Sequence, residues 1–259
     1  MITQEEDICI HRDSFLINIT KKDVKFNNPT VFLTYPGPGI IGPIIANEMV
    51  SSLKLEKIGF FKSNYLTPVT VFLDNQLRHP YVIYTNKDGT IVLISIDYPV
   101  PETSHLVIAE GLIRWVNNTL NAKYIVCLDG IPVNAKPDSP IIITAAEKEV
   151  AEDLRKYAVK PYENGVVVGL SGALMSEALI RDIVGITLLT PAIVQFPDPE
   201  AAVNLINVIN DYFKLKIDTE HLLAEAKKIK EQLSLINQKQ QAIQDQSYKS
   251  NQAWRESFT

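Results

Sequence analysis

Cysteine is almost missing from this 259-residue sequence: Cys9 and Cys127 stand more than a hundred residues apart, each inside an apolar, strand-like run. Two such thiols supply neither a disulfide framework nor a zinc site, and both read as buried residues. Histidine is equally scarce. His11, His79, His105 and His221 show no metal-ligand spacing with one another or with the cysteines, so no metal is expected. No apolar run reaches the ~18 residues of a membrane span, and the longest, such as Ile91 to Ile96, are strand-sized. The first residues include Glu5, Glu6 and Asp7, the wrong charge for a secretory signal, which makes a cytoplasmic location the expectation. An excess of positive charge is also lacking: 25 Lys and Arg face 30 Asp and Glu, a net charge of −5. Nucleic acid is therefore disfavoured as a partner, because affinity for phosphate backbones needs clustered cations. With 46% hydrophobic residues, 11 Gly and 15 Pro, collagen-like and disordered compositions are excluded as well.

What is present has an α/β rhythm. The length fits one large domain or two small ones. Strands are expected at Val31 to Tyr35, Ile58 to Lys62, Tyr81 to Thr85, Ile91 to Ile96, Tyr124 to Leu128, Val166 to Leu170 and Ile186 to Leu189. Helical spacing separates them: Ile41, Ile45, Met49 and Leu53; Leu106, Ala109, Ile113, Val116 and Leu120; and, more briefly, Ala146, Val150 and Leu154. Asn86-Lys87-Asp88-Gly89 supplies a turn signal that predicts an antiparallel hairpin in an otherwise mostly parallel sheet. Asp198 followed by Pro199 reads as an N-cap with proline in the first turn, opening a helix that carries Ala202, Ile206, Ile209 and Phe213 on one face. The expected architecture is an α/β/α body over residues 1–213.

Beyond Lys214 the composition changes, with eight Lys and Arg against six Asp and Glu to the end of the chain. Leu222, Ala226, Ile229, Leu233, Ile236, Gln240 and Ile243 follow a 3.5-residue period, so residues 214–243 are a candidate coiled coil and 244–259 a flexible tail. Placing Ala226, Leu233 and Gln240 at a, and Leu222, Ile229, Ile236 and Ile243 at d, favours a homotrimer or tetramer over a parallel dimer. The alternative is that the stripe packs back on its own body.

The segment richest in special backbone geometry is Tyr35-Pro36-Gly37-Pro38-Gly39-Ile40-Ile41-Gly42-Pro43, between the first core strand and the first helix. Gly37, Gly39 and Gly42 match G-x-G-x-x-G, yet Pro38 and Pro43 remove backbone N–H groups that a pyrophosphate would need, and no acidic residue ends the next strand. Pro36, Gly37, Gly39 and Gly42 remain candidates for a tight turn, a partner-binding loop or another anion site. Gly169-Leu170-Ser171-Gly172-Ala173 approaches a nucleophile elbow but ends in Ala173, and the only downstream histidine is His221 in the heptad segment. Ser171 is expected to cap a helix, with Gly172 permitting a close approach. Asp97 and Asp129 end strands, where α/β proteins place functional carboxylates or where the carboxylate merely satisfies a turn. No catalytic set and no cofactor motif emerges.

Four segments in order resemble a known family: Tyr35 to Gly42, the hairpin ending in Asp97, Gly165 to Met175, and Phe196 to Ala202. They resemble the archaeal and bacterial homologues of the second proteasome assembly chaperone, over roughly residues 30 to 240. The resemblance implies a nucleoside-phosphorylase-like α/β/α sandwich without the phosphorylase's catalytic groups. It also implies a self-assembling chaperone or adaptor that engages the proteasome core particle, partly through a C-terminal hydrophobic-tyrosine-any tripeptide. Here the last residues are Ser257-Phe258-Thr259: Phe258 keeps the aromatic position, while the hydrophobic residue and the phenolic hydroxyl are absent. Some members are labelled ATP-dependent carboxylate ligases, and the alternative expectation is a small-molecule enzyme of phosphorylase or ligase type.

Overall fold

Residues 5–6, 15–21, 23–73, 75–137, 139–194, 196–224 and 226 are described in a computed structural model. Contacts divide the chain into two compact units, 1–219 and 220–259. Among its described residues the first holds twelve strands, β1 (Glu5–Glu6), β2 (Phe15–Ile19), β3 (Thr30–Thr34), β4 (Glu56–Ser63), β5 (Val71–Leu73), β6 (Gln76–Arg78), β7 (Tyr81–Thr85), β8 (Ile91–Ile96), β9 (Tyr124–Val133), β10 (Ile142–Ala146), β11 (Val159–Pro161) and β12 (Val184–Ile193). Its helices are α1 (Ile41–Ser52), α2 (His105–Trp115), α3 (Lys148–Leu154), α4 (Gly169–Ile180) and α5 (Pro199–Phe213). Of the second unit only 220–224 and 226 are described, as helix; Ile229 to Ile243 and Phe258 lie outside the described residues.

Ten strands form one sheet in the order β1-β2-β4-β7-β8-β3-β9-β12-β10-β11, and β5-β6 is a separate hairpin. The sheet is mixed rather than mostly parallel. Its four central strands β8, β3, β9 and β12 are parallel, β2, β4 and β7 add antiparallel pairs on one side, and β10 returns antiparallel on the other. The predicted hairpin forms, pairing Tyr81 with Ile96 and Thr85 with Val92. Asn86 closes it by accepting the N–H groups of Thr90 and Ile91 on its side-chain oxygen.

Alternation along the strands sends side chains to two covered faces. On one face Val31, Leu33, Ile94, Ile96, Ile125 and Cys127 join a core with α2 and α4, whose Ile108, Leu112, Trp115 and Leu174 are fully buried. On the other, Phe32 meets Phe213 of α5 edge to face at 5.3 Å, and α1 packs beside α5. Each fully buried aliphatic side chain contributes about 1.5–3 kcal/mol relative to exposure. The sheet centre therefore carries the main driving force for folding.

Asp198 caps α5 as its sequence signal predicts, accepting the N–H of Ala201 at 3.0 Å, with proline following. Other expectations fail, among them that Asp129 ends its strand, since β9 continues to Val133. Val166 to Leu170 is not a strand: residues 165–168 run without regular structure and α4 begins at Gly169. The segment reads as a strand because α4 is apolar nearly all round, which hides its helical period. Ser171 does not cap that helix, since Val168 is the N-cap residue and Ser171 lies inside the first turn, buried. Leu106, placed by its spacing on the inner face of α2, is 67% exposed.

Candidate functional site

The parallel strands β3, β8 and β9 end on one side of the sheet, the position at which α/β folds gather functional groups. There β9 and β12 outrun their other neighbours: β3 pairs with β9 only as far as Leu128 and β10 with β12 only as far as Leu189, while the β9–β12 pairing continues to Val133 and Ile193. Pro132 and Pro191 sit in this extension, where their missing N–H groups interrupt no ladder with β3 or β10.

The glycine-proline loop lies against that extension. Tyr35 follows β3 and Asp129 lies in β9, and both continue the alternation of Leu33 and Cys127 onto the α4 face. The Tyr35 hydroxyl donates to Asp129 Oδ2 and is 2.7 Å from Ser171 Oγ of α4. Since the Tyr35 proton is given to the carboxylate, Ser171 is the donor in the second bond. Asp129 Oδ1 accepts the N–H of Gly130 at 2.7 Å. Three chain segments separated by up to 136 residues are thus tied by one polar cluster.

Burial sets its electrostatics. It pushes the Asp129 carboxyl above the ordinary carboxylate range, against the opposing pull of the bonds from Tyr35 and Gly130. Burial, followed by the Asp129 charge, holds the Tyr35 phenol far above its ordinary value, so it stays protonated. Beneath them Cys127 is fully buried and pushed up to about 12, again by burial and then by Asp129. A thiol so held is not a nucleophile at neutral pH.

Glycines are required where the loop meets this cluster. A Cβ on Gly37 would strike Asp129 Oδ1, although Gly37 itself is extended at φ −129°. Gly39 adopts φ +68°, and a Cβ there would lie 2.8 Å from Asp198 Cβ and 3.0 Å from Ala192 Cβ. The next residue, Ile40, is also left-handed at φ +51°, a rare state for a β-branched residue, and it stands 43% exposed at the loop tip. The Asp198 N–H donates to the Gly39 carbonyl at 2.8 Å, and Lys136 Nζ reaches Asp198 Oδ1 at 2.6 Å and Glu200 Oε2 at 3.2 Å. The loop is therefore pinned from both sides.

Pro36, Gly37, Gly39, Gly42, Asp129 and Ser171 come together here, with Gly169 and Gly172 shaping the first turn of α4; Gly169 has φ +73°. Asp97 does not join them. It follows β8 in register with Ser95, to which it bonds at 2.9 Å, on the opposite face of the sheet from Ile96 and Asp129. Leu222 and Ala226 belong to the second unit. Sequence reasoning did not single out Tyr35 or Lys136. The alternation Leu33-Tyr35 beside Cys127-Asp129 is a signal for the first once β3 is known to neighbour β9, whereas Lys136 has no local signal.

These features define an α/β protein of mixed sheet whose strand-end loop is locked by a buried tyrosine–carboxylate–serine cluster. Residues 31–236 match the PAC2 family, and the chain belongs to that family, as the resemblance of its four segments implies. It is 29% identical over 231 residues to an uncharacterised protein of Methanocaldococcus jannaschii, covering 89% of this chain and 94% of that one. A protein of unknown function from Thermoplasma acidophilum has a similar crystal structure, with a TM-score of 0.73, 29% identity and coverage of 86% and 91% of the two chains. PbaA of Pyrococcus furiosus, described as an archaeal homolog of proteasome-assembly chaperone, superposes with a TM-score of 0.77 at 25% identity, covering 92% and 97%.

Proposed function

We propose that this chain is a noncatalytic assembly chaperone or adaptor for the proteasome core particle or its subunits, acting as a cytoplasmic homo-oligomer. Family membership together with near full-length likeness to PbaA carries this reading. The chemistry of the strand-end cluster agrees with it: the Tyr35, Asp129 and Ser171 groups are bonded to one another, and Cys127 beneath them is buried and protonated. Such a cluster positions a loop. In this reading the layering is nucleoside-phosphorylase-like, and Pro36 to Gly42 is a partner-facing loop whose exposed, strained Ile40 makes the contact. The heptad stripe from Leu222 to Ile243 assembles three or four copies, and Phe258 in the tail docks into the core particle.

Incubation with proteasome subunits of the same organism tests the proposal. Altered assembly intermediates or co-migration with core-particle rings on native gels are expected. Unchanged intermediates and no co-migration would overturn it. Deleting Phe258 and Thr259 is expected to abolish co-migration at unchanged melting temperature and native mass.

A further inference from the structure

Three pairs in the sequence join an acidic or amide side chain to a following glycine: Asp88-Gly89, Asp129-Gly130 and Asn164-Gly165. Such pairs cyclise more readily than others. Glycine has no Cβ to shield its main-chain nitrogen from the preceding side-chain carbonyl, and its backbone reaches the conformation that closes the ring.

The fold closes two of the three. Gly89 is buried in the β7–β8 turn, where its N–H donates to the Asn86 carbonyl at 3.1 Å and its carbonyl accepts the Asn27 N–H at 2.8 Å. Gly130 is buried in β9 in register with Thr190 of β12, and the Asp129 carboxylate accepts the Tyr35 hydroxyl and the Gly130 N–H. Ring closure at either pair would break bonds that hold the body together.

Asn164-Gly165 is open. Residues 162–168 cross from β11 to α4 with neither helix nor strand, and all of them except Val167 are exposed. Among the described residues neither the Asn164 side chain nor the Gly165 N–H makes a hydrogen bond. The Tyr162 side chain, which a Cβ on Gly165 would strike, is itself 45% exposed and does not seal the segment. Nothing in the surrounding fold resists the local rotation that cyclisation needs.

We propose that Asn164-Gly165 is a site of spontaneous deamidation in the folded protein. The Gly165 nitrogen attacks Asn164 Cγ. The new C–N bond closes a succinimide ring, the bond from Cγ to Nδ2 breaks, and the Gly165 amide proton leaves with Nδ2 as ammonia. Water then opens the ring, its proton going to the imide nitrogen. When its hydroxyl adds to Cγ the product is aspartate; when it adds to the Asn164 main-chain carbonyl carbon the product is isoaspartate, with an extra methylene in the backbone. No electrons are transferred, and water is the sole co-reactant. Both products carry a carboxylate at neutral pH, so the chain becomes more negative. Because the segment is exposed and outside the sheet and helices, the body stays folded.

Incubating the full chain at mildly alkaline pH, followed by tryptic digestion, tests this. The peptide 157–181 contains Asn164 as its only amide side chain, so the mass gain of an amide-to-acid conversion reports that residue. Conversion is expected within tenfold of the rate in the same peptide free in solution, with isoaspartate detected by enzymatic methylation and with an unchanged melting temperature. Isoaspartate formation at Asp88 and Asp129 is expected to be at least tenfold slower in the folded chain than in free peptides. Asn164→Gln is expected to cut conversion in this peptide at least tenfold. Conversion of Asn164 more than tenfold slower than in the free peptide, an acid product without isoaspartate, a fall in melting temperature on conversion, unprotected Asp88 or Asp129, or undiminished conversion in Asn164→Gln would overturn the proposal.

Discussion

Replacing Tyr35 by Phe removes one oxygen and leaves the ring. In the wild-type chain that oxygen donates to Asp129 Oδ2 and accepts from Ser171 Oγ at 2.7 Å. Without it Asp129 keeps the Gly130 N–H on Oδ1 alone, and Oδ2 loses its donor in a buried setting. A hydrogen bond to a charged group contributes about 1.5–3 kcal/mol, and the carboxylate left behind bears its desolvation cost, so a loss of about 2–3 kcal/mol is expected. At about 2–4 °C per kcal/mol for a body of this size, the melting temperature falls by roughly 4–12 °C.

The loss depends on pH with a definite sign. Burial raises the Asp129 pKa in the folded state above its unfolded value, so the folded state binds more protons between the two values. The cost of the ionised carboxylate is fully present above the folded pKa and disappears as pH falls toward the ordinary carboxylate range. Losing the Tyr35 bond, which acts to lower that pKa, raises it further in the variant. Urea denaturation should therefore show a larger difference between wild type and Tyr35→Phe at neutral pH than near pH 4. A double-mutant cycle with Asp129→Asn isolates the pair, with an expected coupling of about 1–3 kcal/mol. A Tyr35→Phe effect below about 0.5 kcal/mol, or additivity in the cycle, would refute the reasoning.

Gly42→Ala should destabilise despite the better helix propensity of alanine, because its Cβ would collide with the Tyr35 carbonyl oxygen and lie 2.7 Å from the Tyr35 nitrogen; a loss of about 3 kcal/mol or more in urea denaturation is expected. Lys136→Met strands the buried Asp198 carboxylate, which then keeps only its capping bond to Ala201; because Lys136 is partly exposed, a loss of about 1–3 kcal/mol is expected at neutral pH, measured by thermal unfolding. On the proposed coiled-coil reading, changing Ile229 and Ile236 together to Asp should reduce the native mass to that of a monomer while the α/β body stays folded, and light scattering that reports the same mass for wild type and variant would refute that reading.

Local signals carried a good part of the fold. The Asp-Gly turn produced the β7–β8 hairpin, Asp198-Pro199 opened α5, and the one-sided spacing of Ile41, Ile45 and Met49 predicted α1, because each is decided by residues within a few positions of one another. The glycine-proline loop was legible as a special turn for the same reason. Where periodicity is absent, local reading fails. Gly165 to Leu170 is as apolar as a buried strand, and only packing of α4 against β12 and α2 makes the chain enter a helix at Gly169. Short strands toward the ends of the sheet, such as β2, β10 and β11, escape detection because their stability comes from neighbours distant in sequence.

By itself, then, the sequence determined the α/β alternation, the turn chemistry and the family, all of which rest on residue type and spacing along one line. Tertiary structure decided which strand lies beside which. That choice places Tyr35, Asp129 and Ser171 in one buried cluster, sends Asp97 to the opposite face, and brings Lys136 to Asp198 across 62 residues. Strand order is settled by the burial of whole faces in the assembled sheet, a quantity no short window contains.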